Sequence, residues 1–247
     1  AWVGPGVKLA SELDTNGRVY SVTKQDNGKI ILGGDFSEVA GASCSHIARL
    51  NVDLSVDTTF SIGTGFNSTV RSIIVQQDGR ILVGGSFSEY NGTTVPRIIR
   101  LNPDGSMDDS FDPGGGPNST VYTIHENLDG SILMSGDFSS VDGQAKERFA
   151  KLSPNGDLDT NYLASVSSRV KQIIPQANGK VVIGGGHFDR VNGVEQRSIA
   201  RLNADGTLDL TFNASPGADD ISDIAVTPEG DFIICGSFSR YNNITKS

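Results

Sequence analysis

Cysteine, tryptophan, histidine and long apolar runs are all scarce in this chain. Of its 247 residues, two are Cys, one is Trp and three are His. No apolar stretch approaches the roughly 18 residues of a membrane-spanning helix. The first residues lack the basic and apolar segments of a signal peptide, so any export signal is expected outside this sequence. The formal charge is −9, and the Lys and Arg residues form no run. That balance argues against nucleic acid and acidic membrane surfaces, because phosphate contacts need clustered cations. No Gly-x-Ser-x-Gly elbow, P-loop or dinucleotide fingerprint occurs, which leaves esterase and nucleotide chemistry without support. His46, His125 and His187 fall in different registers, with no metal-ligand spacing between any two, and read as structural or surface residues. Cys44 and Cys235 are too few to report a compartment. They are either two unpaired thiols, Cys235 inside a buried strand, or a disulfide joining the first and last repeats. Helical periodicity is absent throughout.

What the chain has in abundance is glycine, 30 residues in all, and much of it recurs in register. An apolar segment ending in glycine reads Ile30-Ile31-Leu32-Gly33-Gly34, then Ile81-Leu82-Val83-Gly84-Gly85, Ile132-Leu133-Met134-Ser135-Gly136, Val181-Val182-Ile183-Gly184-Gly185 and Phe232-Ile233-Ile234-Cys235-Gly236. Ahead of the copies stand Asn27-Gly28, Asp78-Gly79, Asp129-Gly130, Asn178-Gly179 and Glu229-Gly230. The Asn-Gly and Asp-Gly pairs suit the positive φ angles of a tight hairpin. After the glycines come an aromatic and a second turn, as in Phe87 and Asn91-Gly92, then a third strand such as Arg97 to Asn102. A third turn (Asp104-Gly105, Asn155-Gly156, Asp205-Gly206) leads to Asp with an aromatic three residues on: Asp57 and Phe60, Asp108 and Phe111, Asp159 and Tyr162, Asp209 and Phe212.

A fixed period of about fifty residues marks a repeat architecture. Antiparallel strands without helices point to an all-β, five-bladed β-propeller with four-stranded antiparallel blades, a β-solenoid being the rival. The units run over about 19–69, 70–120, 121–169, 170–220 and 221–247 plus 1–18, within a single domain over 1–247. The last unit stops where its third strand is due, whereas Val7-Lys8-Leu9 and Leu13-Asp14 match the missing strands. The N-terminal segment is therefore expected to complete the last blade.

The repeated basic residues Arg49, Arg100, Lys151 and Arg201 and the repeated Asp residues read as parts of the repeat itself, since a unique site breaks symmetry. Asn102 to Asp108 and Asn203 to Asp209 space oxygens as some calcium loops do, although an Asx-stabilised turn looks the same and the closing bidentate Glu is missing. Calcium is thus the one cofactor in question. Gly184-Gly185-Gly186-His187-Phe188 carries an extra residue and is expected to bulge. The second turns and the links between repeats are longer and more varied than the tight turns. Recognition residues usually lie on such loops, which nominates Tyr90, Asn91, Thr93, Asn118, Tyr241 and Asn242 as ligand-binding candidates, with no catalytic and no metal-ligating residue assigned.

The segments Val70 to Thr120 and Val170 to Asp220, with Asp-Gly, Ile-Leu-Val-Gly-Gly-x-Phe, x-x-Asn-Gly, Arg-Leu-Asn-x-Asp-Gly and Asp-x-x-Phe, resemble the delta-60 repeat family, a β-propeller repeat of unknown function. The third unit departs from it at Met134-Ser135 and Asn161-Tyr162. The resemblance implies a module of bacterial surface, secreted or phage-associated proteins, part of a larger polypeptide or assembly, and carries over no catalytic residue. The expected function is a non-enzymatic recognition or adhesion module, outside the cell or on a virion, binding glycan or a surface protein through its long-loop face. Two alternatives stay open: a polysaccharide-cleaving propeller with paired carboxylates, for instance around His187 and Asp189, and a structural spacer in a fibre or virion.

Overall fold

A computed structural model of the chain describes residues 14–176, 178–212, 221–227, 229–237, 240–241 and 244–245. The chain divides into two compact units, Ala1–Val95 with Arg100–Asp108 and Pro96–Ile99 with Asp109–Ser247. None of the described residues is helical, and so none forms a helix long and apolar enough to cross a membrane.

The repeat read from the sequence is the repeat that forms. Its first strands are Val19–Lys24, Val70–Val75, Val121–Glu126, Gln172–Pro175 and Asp223–Val226. The glycine-ended second strands are Ile30–Gly34, Ile81–Gly85, Ile132–Gly136, Val181–Gly184 and Phe232–Cys235. Third strands follow at Ile47–Leu50, Ile98–Leu101, Phe149–Leu152 and Ile199–Leu202, and the second strand lies in the middle of each sheet. These sheets have three strands, not the expected four. The segment after the third turn contributes single bridging pairs, Leu50 with Val56, Leu101 with Met107, Leu152 with Leu158 and Leu202 with Leu208. The next residue in each is the repeated Asp, whose backbone N–H donates to the carbonyl of the third-strand cation. In the fifth repeat the described residues form two two-stranded pairs, Asp223–Val226 with Phe232–Cys235 and Arg240–Tyr241 with Ile244–Thr245. Of the N-terminal segment expected to complete it, residues 1–18, residues 1–13 lie outside those described.

The glycines of the second strand are required by packing rather than by φ. A Cβ on Gly33 would stand 2.6 Å from Ile73 Cδ1 and 2.5 Å from Val70 Cγ1, since the first strand of the second repeat lies across that position. The aromatics that follow the glycines, Phe36, Phe87, Phe138 and Phe188, are completely or almost completely buried. Leu32, Phe36, Val39, Cys44, Ala48 and Leu50 form the core of the first repeat. In the second unit Leu133, Phe149, Tyr162, Val170, Ile183 and Phe188 belong to one larger cluster.

Turn chemistry differs from expectation in one respect. At the first turns only the glycine is left-handed (Gly28 φ +83°, Gly79 +84°), and Asn27 or Asp78 instead accepts the backbone N–H two residues on. The turns with two left-handed residues are the second turns, Ala40-Gly41, Asn91-Gly92, Asp142-Gly143 and Asn192-Gly193. Each closes a two-residue-stranded hairpin such as Glu89–Tyr90 with Thr93–Thr94, the geometry favoured by strand twist. The extra residue of the fourth repeat shortens its second strand to Val181–Gly184 and leaves Gly185, Gly186 and His187 left-handed. Cys44 and Cys235 are free thiols. Cys235 is exposed rather than buried, in a strand with one described neighbour.

Candidate functional site

The loop residues nominated from the sequence are largely engaged in holding the repeats. Asn118 Oδ1 accepts the N–H groups of Ser139 (2.9 Å) and Ser140 (3.2 Å), and its Nδ2 donates to Ser139 Oγ (3.0 Å). Asn16 and Asn67 make the same pair of backbone contacts in the first unit, to Ser37 and Glu38 and to Ser88 and Glu89. Asn91 Oδ1 accepts the N–H of Thr64 (3.1 Å), pinning a link onto the hairpin tip. Tyr90 is a core residue, 3% exposed: its ring lies 4.6 Å from that of Phe66 and its hydroxyl donates to the Gly105 carbonyl (2.5 Å). The second turn thus folds back against the third turn instead of standing out as a loop. Thr93 is exposed on the same hairpin. The Tyr241 side chain and Asn242 lie outside the described residues. The oxygens of the proposed calcium loop meet donors of the chain: Asp104 Oδ1 accepts from Ser106 N and Oγ (2.9 and 2.7 Å), and Arg100 Nε lies 2.6 Å from Asp108. Among the described residues no three His, Cys, Asp or Glu are grouped to hold a metal. Asp189 accepts from Ser167 Oγ at 2.6 Å, and that bond leads in holding its carboxyl below the ordinary range.

The repeated cation and Asp form a lock, as their recurrence implies. Arg49, Arg100 and Arg201 each place Nε 2.6 Å from the Asp eight residues on. Asp57 also accepts from Lys29 (2.7 Å) and from the N–H and hydroxyl of Thr59. Burial pushes the Asp57 carboxyl up, but these hydrogen bonds outweigh it and keep the group well below the usual carboxylate range. The guanidinium of Arg49 covers the Phe60 ring at 4.5 Å, and its Nη1 donates to the carbonyl of Pro103 in the third turn of the second repeat.

The third repeat changes each part of this lock. Its cation is Lys151, 3.9 Å from Asp159, whose side chain is 33% exposed against 3% for Asp57. Its aromatic is Tyr162, and Ala204 occupies the third-turn position that Pro103 has in the second repeat. Lysine has no planar fork to reach a neighbouring carbonyl while holding its own carboxylate. Where Arg49 bridges the first repeat to the second, a cleft of about 610 Å³ opens between the third and fourth. Leu128, Leu133, Pro175, Val181 and Ala204 give it apolar walls, and His125, Lys151, Tyr162 and Gln176 contribute polar groups. Burial lowers the pKa of His125, which keeps the imidazole neutral at neutral pH. Burial first, then the charges of Asp205 and Asp159, raises that of Tyr162, which stays a phenol. Tyr162 Oη and Gln176 Oε1 are buried without a hydrogen-bond partner in the protein. Gln25 Oε1, at the matching position of the first repeat, shares that property. The solitary phenol is therefore the feature that sets this cleft apart. Mostly apolar walls with a few convergent polar groups are the usual make-up of a ligand site. Tyr162 was visible as a departure from the repeat, whereas Lys151 read as one of its repeated basic residues, and the opening they create depends on the neighbouring repeat and leaves no local pattern.

The sequence matches the family described as a β-propeller domain of unknown function (DUF5122) over residues 25–60, 76–111, 128–162 and 176–212, more than half of the chain. None of the curated proteins matches it. Among solved structures, the WD40 β-propeller domain of Doa1 is similar with a TM-score of 0.55 at 18% identity, over 89% of this chain and 60% of that one. The extracellular domain of a hybrid two-component system from B. thetaiotaomicron gives 0.53 at 14% identity, over 89% of this chain and 28% of that one. A gluconolactonase from Xanthomonas campestris gives 0.52 at 17%, over 91% and 71%. The chain thus spans less than two thirds of the first two of these structures. At these identities the likeness is one of fold.

Proposed function

The chain belongs to the DUF5122 β-propeller family, and on that premise we propose that it is a non-enzymatic recognition module that takes its ligand in the cleft between the third and fourth repeats. Five blades, one for each copy of the glycine-ended strand, are part of the same proposal. So is a place outside the cell or on a virion, for which the extracellular domain from B. thetaiotaomicron is a precedent in fold alone. The ligand is a segment of protein or glycan. The observation that carries the reading is the replacement, in one of the four repeats whose lock is described, of a closed Arg-Asp-Phe lock by Lys151, Asp159 and Tyr162, beside an open cleft that Lys151 and Tyr162 line. Symmetric residues maintain a repeat, and a break that opens a cavity gives a single place for a single ligand.

The glycosidase alternative draws less support. It needs two carboxylates with pKa values driven apart. Asp129, beside the cleft, accepts from Ser131 Oγ and N, and those bonds hold it below the ordinary carboxylate range. Asp189 is likewise held down by Ser167.

The test is a screen of the chain on peptide and glycan panels, run beside a Lys151→Arg/Tyr162→Phe variant that restores the side chains of the other repeats. The expected result is a set of bound ligands lost in the variant while its unfolding temperature is kept or raised. Ligands bound equally by both proteins would place recognition elsewhere.

A further inference from the structure

We propose that this chain associates head to tail with a second copy of itself, the first strand of the first repeat in one molecule docking on the second strand of the fifth repeat in the other. The inference is independent of the cleft.

The internal junctions define what such strands pack against. Within the first unit, Val70 and Ile73 of the second repeat lie on Gly33 of the first, where an added Cβ would stand 2.5 Å from Val70 Cγ1 and 2.6 Å from Ile73 Cδ1. Within the second unit, Ile224 of the fifth repeat takes up the space beside Gly184 of the fourth in the same way, and Val182, Ile199, Ile221 and Ile224 form one buried cluster. A backbone N–H crosses each of these junctions. That of Ile73 donates to Ser21 Oγ (3.0 Å), and that of Ile224 donates to Gln172 Oε1 (2.8 Å).

Two faces of this kind are open. Val19 and Val22 hold the registers of Val70 and Ile73, yet they are 36% and 64% exposed, against 0% and 4%. Ile233 holds the register of the fully buried Ile31 and Val182 and is 61% exposed. Cys235, in the register of Gly33 and Gly184, is exposed as well.

The two faces fit one another, and neither fits itself. The internal junctions set an isoleucine against a glycine, whereas this pair sets a valine against a cysteine. Val22 lacks the Cδ1 atom that crowds Gly33 and Gly184, and the Cys235 side chain supplies atoms for that space. Ser135 also has a side chain in this register, but its Oγ is used in hydrogen bonds with the Val170 N–H and the Arg148 carbonyl, both at 2.8 Å. The polar link is matched too. Asp223 holds the register of Ser21 and Gln172. Its Oδ1 accepts from Gln172 and from the N–H of Ile224, and its second carboxylate oxygen is the acceptor for the Val22 N–H of the other copy. Complementary but unlike faces make a heterologous contact, which adds copies in a row unless the rotation closes a ring.

The experiment is sedimentation of the whole chain at rising concentration, joined to disulfide trapping of Val22→Cys by the native Cys235. The mass should rise from one copy to two or more. Val22→Glu and Ile233→Glu, both at exposed positions, should each weaken association at least tenfold while keeping the parent's unfolding midpoint. Mixed together they should form a dimer that grows no further, since each supplies the intact face that the other lacks. Oxidised Val22→Cys should run as a ladder of dimers and larger species that the parent chain does not give, and this variant, close to valine in size, decides the matter if a glutamate unfolds its strand. A chain that stays monomeric at every concentration, association untouched by both glutamates, or a mixture that fails to pair would each overturn the proposal. A trapped species of monomer mass would show the two faces meeting within one molecule and would overturn the second copy as occupant.

Discussion

The first and third repeats share their strands, turns and core aromatics, yet the same three positions seal one and open the other. In the first, Arg49 joins its own carboxylate, covers Phe60 and reaches the next repeat, and Asp57 is almost wholly out of solvent. In the third, Lys151 manages only a distant pairing and Asp159 is one-third exposed. A symmetric fold can therefore open a cleft by weakening one copy of a structural element that the other described copies preserve. The comparison is tested most severely by removing the carboxylate from each lock. Asp57→Ala leaves Arg49 and Lys29 without their acceptor in a buried setting and is expected to cost about 3–5 kcal/mol. Asp159→Ala removes a screened pair and is expected to cost about 1 kcal/mol or less. Urea unfolding of both variants gives the two values, and equal costs would erase the distinction between the repeats. The Asp57 contribution also has a direction in pH. Its folded pKa is depressed, so the stabilisation is complete above the unfolded value of about 3.9 and is lost as the pH falls from there towards the folded one.

A smaller contrast separates the links that enter the third and fourth repeats. Asn118 secures one with an amide oxygen that accepts two backbone N–H groups, and Ser167 secures the other with a hydroxyl that accepts two and donates to Asp189. Asn118→Ala is expected to lower stability by about 1–2 kcal/mol, since two backbone donors lose their acceptor near a buried hairpin residue, Val141. Ligand binding at the cleft should be unchanged in that variant. A stability unchanged by thermal unfolding, or a loss of binding at constant stability, would return Asn118 to the list of recognition residues.

The strands and their order were legible because each rests on local chemistry repeated several times. Ile81 to Gly85 reads as a strand from its apolar run, and its glycines mark the close approach of another backbone. The missing fourth strand was less legible: Met107 and Val56 have the apolar character of strand residues, but the Asp that follows each is captured by an arginine on the neighbouring strand after a single bridge. Tyr90 and Asn91 look like surface recognition residues in one dimension. Only the backward fold of their hairpin shows that one enters the core and the other pins a link. The cleft was the least legible of all, because Lys151 is still basic and Tyr162 still aromatic, and by residue class the lock appears intact. What differs is reach and one hydroxyl, whose effects show only against the facing Ala204 and Gln176.

That hydroxyl offers the finest test of the comparison. In the first repeat Phe60 occupies the position with no polar atom to satisfy, whereas Tyr162 buries an O–H that the protein leaves without a partner. A buried hydroxyl in that state costs about 1–3 kcal/mol relative to a satisfied one, and the ring packing against Phe149, with centroids 6.2 Å apart, does not depend on it. Tyr162→Phe should therefore leave stability unchanged or raise it by about 1 kcal/mol, measured as an upward shift of the unfolding midpoint, while ligand affinity falls. The two readouts moving in opposite directions is what separates a recognition residue from a packing residue. A variant that loses stability and binding together would show that the phenol serves the fold, and the third repeat would then differ from the first in detail only.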